Sequence, residues 1–205
     1  MSHLSHPLLL EHPLLRRLAV ELRAKPGALA PDDGAPRRAA VAVIFRALPE
    51  SPLEILLILR AEREGDPWSG QIALPGGRQE AEDATLQDTA LRETREETGL
   101  DLARDGVVLG TLDEVRPRTP TLPSIIVTPY VAVVRADAEL HGSVEVAESF
   151  WAPWSIFGDA LGIQESAVMV RGAEWRVPSY VIGRHVVWGL TERILRQLAL
   201  MLRDT

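Results

Sequence analysis

Two hydrophobic rhythms alternate along this chain. From Pro13 to Arg23, Leu14, Leu15, Leu18 and Leu22 gather on one side of a helical wheel, with Arg16, Arg17, Glu21 and Arg23 largely opposite. That pattern predicts an amphipathic helix, to be packed on the domain or on a second subunit. Lys25–Pro36 is rich in Pro, Gly, Ala and Asp and reads as a linker or long loop. Ala39–Phe45 and Leu53–Leu59 are unbroken apolar runs, as buried strands are. The turn at Pro49–Pro52 would join them as a hairpin. Gln71–Leu74 reads as a brief strand and Val107–Leu112 as a longer one. Ile125–Val134 is a long strand with Pro129 inside it, which predicts an edge position or a bulge. A short helix near Ser155–Leu161, strands at Trp175–Val181 and Val186–Val187, and a closing amphipathic helix over Thr191–Leu202 complete the reading. Strands and helices mix without strict alternation, so the class is α/β in the α+β sense, not a doubly wound sheet. A tail, helix and linker over 1–36 precede a domain over 37–205.

One stretch breaks the pattern of apolar faces. Leu74–Leu100 opens on a Pro-Gly-Gly turn and continues into a helix dense in glutamate. Thr85 and Asp88 have capping-box spacing at its start. Gly99 suits a left-handed end. Leu86, Ala90, Glu93 and Glu97 follow i, i+4, i+7, i+11 spacing and share one narrow face, with Glu96 beside it. Carboxylates converging on an apolar face repel one another, and partial burial makes this worse. Arg92 and Arg95 would offset the charge on a solvated helix edge, Arg92 through an i,i+4 pair with Glu96. A hard divalent cation with oxygen ligands would relieve it instead.

Composition narrows the choices. The chain has 205 residues, enough for one domain with a full core. Its net charge of −7 argues against nucleic acid as a partner, because no basic surplus is available to neutralise phosphates. The absence of cysteine excludes disulfides, thiolate metal sites and cysteine nucleophiles. No apolar run has the length of a membrane span. Glu11, His12 and Pro13 interrupt what would be a signal-peptide core, so the expected location is cytoplasmic.

The glutamate helix resembles the defining box of the Nudix hydrolases, G-x5-E-x7-R-E-U-x-E-E-x-G-U, where U is a bulky aliphatic residue. Arg92-Glu93-Thr94-Arg95-Glu96-Glu97-Thr98-Gly99-Leu100 fits its second half, with Thr94 at an aliphatic position. In the first half Gly77 is followed six residues on by Asp83 in place of glutamate, and eight residues in place of seven precede Arg92. The chain looks most like the coenzyme A diphosphatase branch, whose upstream signature is L-L-T-x-R-[SA]-x3-R-x3-G-x3-F-P-G-G. Leu56-Leu57-Ile58-Leu59-Arg60-Ala61 fits its beginning and Gly70–Gly77 its end, with Ile58 for Thr and Leu74 for Phe. The spacing between them is one residue long, and Asp66 stands where an arginine is expected, with Arg63 nearby. Val127–Tyr130 and Val186–Thr191 resemble later segments of that branch.

The resemblance implies an α/β/α sandwich with a mixed central sheet between helices. It implies hydrolysis of a nucleoside diphosphate linked to another moiety, with coenzyme A as first guess, and ADP-ribose, another nucleotide sugar or a nucleoside triphosphate as alternatives. A non-catalytic nucleotide-binding domain is the third reading. The implied cofactor is Mg²⁺ or Mn²⁺, held by Glu93, Glu96, Glu97 and the Gly77 carbonyl. Arg92 would orient the glutamates. The general base would be a box glutamate or a later acid, Glu145 or Glu148. Arg60, Arg63, Arg116 and Arg118 are the candidate phosphate contacts. Trp68 is placed to stack on a base, line the pocket or pack under its loop, whereas Trp151, Trp154, Trp175 and Trp188 read as core or interface residues. The expected partner is a small nucleotide-type substrate, with no nucleic acid, no membrane, and a homodimer left open.

Overall fold

The computed structural model describes residues 12–31, 37–48, 51–65, 68–117, 124–158, 162–170 and 172–203. Helix α1 (Pro13–Ala24) starts where His12 Nδ1 accepts the Leu14 N–H at 3.1 Å, with Pro13 in the first turn. Its Leu15, Leu18 and Leu22 are buried among sheet residues of the same chain, so this face is used within the subunit.

The central sheet is built on β1 (Arg37–Arg46). Among the described residues its order is β3 (Ile72–Ala73), β2 (Glu54–Arg60), β1, β6 (Ile125–Val134), β5 (Gly106–Thr111). Strand β4 (Gly76–Arg78) also pairs with β1, and β7 (Val146–Pro153) with β2. β1 runs parallel to β6 along its whole length, from Arg37↔Ile125 to Arg46↔Val134, and antiparallel to the rest.

The expected hairpin of β1 and β2 exists only at its base. The two strands pair at Phe45↔Ile55 and Arg46↔Glu54 and then part. Before that point β1 takes β4 as its partner, with Ala39, Ala40 and Val41 opposite Arg78, Gly77 and Gly76. Just beyond, the Ala42 N–H donates to the Pro75 carbonyl at 2.8 Å. β2 turns instead to β7. The sheet therefore forks at Ala42, and the gap between the branches is where the site lies.

Pro129 is on an interior strand, not an edge. Its carbonyl accepts the Leu112 N–H at 3.0 Å, where regular pairing with β5 has run out at Thr111↔Tyr130 and a bulge has already shifted the register. The missing proline donor thus costs the ladder little. β7 has no clear alternation in its sequence, VAESFWAP, and β8 (Gln164–Val170) is largely exposed; neither is among the predicted strands. β8 pairs with β9 (Ala173–Ile182), which pairs with β10 (His185–Trp188), in a separate three-stranded sheet.

Strand alternation divides the core in two. Ala42, Ile44 and Leu56 face helix α2 (Leu86–Thr98) and the short α3 (Leu102–Asp105). Val43, Phe45, Ile55 and Leu57 face α1, the short α4 (Ser155–Gly158) and α5 (Gly189–Arg203). Ile194, Leu195, Leu198 and Leu202 of α5 are buried there, as their spacing predicts. The result is the expected mixed sheet between helical layers. No helix among the described residues is long and apolar enough to cross a membrane.

Candidate active site

Helix α2 is fixed at both ends by its own sequence. Thr85 and Asp88 form a full capping box, and Gly99 closes the helix at φ 75°. Thr94, the polar residue at an aliphatic box position, is fully buried. Its hydroxyl donates to the Ala90 carbonyl at 2.7 Å, so the buried surface it presents is its methyl.

The two glycines of the turn have separate reasons. A Cβ on Gly76 would stand 2.3 Å from the Ala40 carbonyl oxygen, and its φ is 151°, so close strand pairing demands glycine. A Cβ on Gly77 would stand 2.3 Å from Glu93 Oε1. The bare backbone at Gly77 is what lets the helix carboxylate approach the turn.

Arg92 organises the mouth of the site. Its Nη1 donates to Glu93 Oε1 and to Glu96 Oε2, both at 3.0 Å, and its Nη2 donates to the Arg78 carbonyl at 3.1 Å. Its Nε and Nη2 also grip Asp83, the residue in the stretched half of the box. Asp83 Oδ2 further accepts from Thr89 Oγ1 at 2.9 Å and the Glu80 N–H at 3.0 Å. Hydrogen bonding from Arg92 is the main reason the Asp83 carboxyl lies far below the ordinary carboxylate range.

Glu97 is 2% exposed. Its Oε2 accepts the Gly76 N–H at 2.8 Å and its Oε1 lies 3.6 Å from Arg60 Nη1. Burial pushes its carboxyl up to about 7; the Gly76 N–H and Arg60 oppose this, while Glu93 and Glu145 add repulsion. Burial also raises Glu93, Arg92 opposes, and Glu96 and Glu145 raise it further. Glu96 is exposed and touches this group through Arg92.

A cleft of about 580 Å³ joins these residues to the fork in the sheet. Glu93, Glu97, Glu145, Arg60, Arg63, Trp68 and Gly77 all line it. Glu145 Oε1 accepts from Arg63 Nη2 at 3.1 Å. Glu148 is on β7 and turns to Arg184 at 2.8 Å, away from the cleft. Arg116 does not reach the cleft: its guanidinium donates to the Pro31 carbonyl, tying the loop after β5 to the linker after α1. Arg118 lies outside the described residues. The opposite wall is apolar, formed by Ala39, Val41, Val127, Trp188, Leu190 and Ile194. Trp188 is thus a cleft residue, contrary to the expectation of a core or interface role, and Trp175 is 44% exposed, not core. Trp154 is core, stacked edge-on against Phe45, and Trp151 lies 4.2 Å under the Arg46 guanidinium.

The donor set fits a hard divalent cation. Glu93 and Glu97 are desolvated, mutually repelling oxygen donors beside a glycine turn stripped of any Cβ. In this conformation Arg92 holds Glu93 and Glu96, and among the described residues no three acidic side chains stand together as a finished metal-binding group.

A mixed sheet between helices, with paired carboxylates and arginines at its fork, defines a hydrolase-type site for phosphate chemistry. The NUDIX domain family profile matches residues 35–168. The chain is 32% identical over 149 residues to the uncharacterized Nudix hydrolase NudL of Photorhabdus laumondii, covering 72% of this chain and 77% of that one. It is 33% identical over 172 residues to NudL of Citrobacter koseri, with 81% and 83% covered. The crystal structure of a MutT/nudix family protein from Enterococcus faecalis superposes with a TM-score of 0.55 at 21% identity, over 82% of this chain and 62% of that one. The chain belongs to the Nudix hydrolase family, whose reaction is cleavage of a pyrophosphate bond.

Proposed function

We propose that this chain is a metal-dependent pyrophosphohydrolase that cleaves a nucleoside diphosphate linked to another moiety, with coenzyme A or a derivative as its substrate. The observation that supports it most is a single cleft lined by Glu93, Glu97 and Glu145 together with Arg60 and Arg63. In this reading Glu93, Glu96, Glu97 and the Gly77 carbonyl hold Mg²⁺ or Mn²⁺. The bound ion supplies charge neutralisation at the phosphate oxygens and lowers the pKa of water. Arg60 and Arg63 bind the pyrophosphate oxygens and shift from their carboxylate partners to do so. Glu145 accepts the proton of the attacking water as the P–O bond to the leaving phosphate breaks. Arg92 keeps Glu93 and Glu96 in register. Trp68 stacks on the base.

The long apolar wall from Val41 to Ile194 favours a substrate with an extended, weakly polar arm over a compact sugar. A second reading keeps the chemistry and takes ADP-ribose, another nucleotide sugar or a nucleoside triphosphate. Leu74, where the branch signature has Phe, lines the cleft and favours that alternative. A pure nucleotide binder would have no need of three repelling glutamates.

A substrate panel with product identification tests this. The expected products from coenzyme A are 3′,5′-ADP and phosphopantetheine, formed only with Mg²⁺ or Mn²⁺. AMP from ADP-ribose with coenzyme A left intact would move the assignment to the second reading. Undiminished turnover in excess chelator would remove the metal from it.

A further inference from the structure

A second hollow, of about 490 Å³, adjoins the cleft. Arg37, Arg38, Arg78, Gln79, Glu80 and Ala81 line it, and Arg78 lines the cleft as well. The strand register explains the arrangement. Ala39 and Val41 face the cleft, so alternation turns Arg37 to the same side. Arg78 stands directly opposite Ala39 on β4, which puts its side chain there too. Arg37 is two strand positions from Ala39, roughly 7 Å along the strand. Arg38, although it borders the hollow, is already bound to Glu114 at 3.2 Å. Arg37 and Arg78 have no side-chain partner among the described residues, and both are exposed. Glu80 is the single acid among the lining residues.

In a chain of net charge −7, two guanidinium groups without a side-chain partner among the described residues stand against one acid, Glu80, in this hollow. They are separate from Arg60 and Arg63, which already face the glutamates from the other branch of the fork. Arg78 directly follows Gly77, so its reach begins where the glycine turn ends.

We infer that Arg37 and Arg78 form a subsite for a phosphomonoester that the substrate carries outside its scissile pyrophosphate, on a ribose 2′ or 3′ oxygen. A phosphomonoester is a compact dianion at neutral pH, and paired guanidinium forks match its oxygens. In the proposed reading the pyrophosphate is held at Gly77 and Glu93, and Arg78, the next residue of the same strand, carries the second phosphate. The inference rests on the proposed reading of the cleft, and it narrows the substrate to pyrophosphates with an added phosphate on the nucleoside.

The test is equilibrium binding of 3′,5′-ADP, 2′,5′-ADP, 5′-ADP and 5′-AMP in Mg²⁺, measured on the wild type, Arg37→Ala and Arg78→Ala. The wild type is expected to bind 3′,5′-ADP or 2′,5′-ADP about tenfold or more tightly than 5′-AMP, the scale of one charge-assisted contact. It should also prefer that nucleotide to 5′-ADP, which has equal phosphate content in a different place. In each variant the ratio to 5′-AMP should fall towards one. Arg37→Ala, at the exposed start of β1, keeps the test available should Arg78→Ala fold poorly. A wild-type ratio of one, or variants that weaken all four nucleotides by the same factor, would overturn the subsite. Coenzyme A hydrolysis is scored separately. Lost hydrolysis with an intact nucleotide preference removes the catalytic reading and keeps the subsite; hydrolysis without the preference does the reverse.

Discussion

Arg92 and Asp83 meet through two parallel hydrogen bonds, Nε to Oδ1 and Nη2 to Oδ2, both 2.9 Å long. The fork-to-fork geometry fixes the guanidinium plane, and Nη1 is then aimed at Glu93 and Glu96. Asp83 therefore acts from the stretched half of the box on the intact half, and the added residue between them is absorbed before the helix begins.

Removing one partner of this buried pair leaves a charge with no counterpart. Arg92→Ala is expected to destabilise the fold by about 3 kcal/mol, read from the urea midpoint. Activity should fall as well, because Glu93 and Glu96 lose their tether. Arg92→Lys should not restore either property, since an ammonium cannot span both Asp83 oxygens. Wild-type stability in Arg92→Ala would refute the anchoring role.

The same pair sets an acid limit. The folded Asp83 carboxyl lies below its ordinary 3.8, so its contribution to stability is complete above that value. It is lost as the pH falls below 3.8 towards the folded pKa. Asp83→Asn should show a shallower loss of thermal stability than wild type below about pH 4. Equal slopes for the two proteins would sink the assignment.

Glu97 has the opposite sign. Its folded pKa is raised from 4.5 to about 7, so its charge begins to oppose folding as the pH rises past 4.5, and the full effect is present above 7. In chelator at pH 8, Glu97→Gln should melt about 3 °C or more above wild type, and at pH 4 the difference should vanish. With Mg²⁺ the variant should be nearly inactive, roughly a thousandfold down. An active Glu97→Gln enzyme would exclude Glu97 as a ligand.

Saturating Mn²⁺ or Mg²⁺ should stabilise the wild type by about 2.7 kcal/mol at a hundredfold excess over Kd, read as a raised melting temperature. Glu97→Gln should respond far less. A metal response of equal size in both proteins would locate the ion elsewhere.

The two turn glycines should fail differently. Gly76→Ala places a methyl on the Ala40 backbone with a left-handed φ, so it should cost about 2 kcal/mol or more of stability and unfold at lower denaturant. Gly77→Ala meets only the end of the Glu93 side chain, which can swing away. It should keep most of its stability and lose activity. A calorimetric scan of both variants beside a rate assay separates these outcomes.

Legibility in the sequence followed the range of the interaction. The capping box, the Gly99 stop and the face shared by Glu93 and Glu97 are set within a few residues, and each was readable from spacing. The inward faces of α1 and α5 were readable for the same reason. The partner of α1 was not, because burial of Leu15 and Leu18 against the subunit's own sheet depends on residues far along the chain. Of the two alternatives that Pro129 predicts, the edge is absent and a bulge is present in the neighbouring β5, because its tolerance depends on where β5 stops. β7 and β8 were missed because one lacks alternation and the other is exposed. Trp188 read as core because nothing local reveals that β10 ends at the apolar wall of the cleft. Asp83 was visible as a departure from the box, but its grip on Arg92 was not.

The fork at Ala42 divides labour between two kinds of inheritance. The glutamates and the glycine turn are held by a short local motif and by backbone hydrogen bonds to β1. The apolar wall comes from β1, β6, β10 and α5, parts of the chain that make no bond to that motif's carboxylates. Residues such as Trp188 and Ile194 can therefore be exchanged without moving Glu93 or Glu97. New substrates are reachable by repainting one wall while the reaction stays intact.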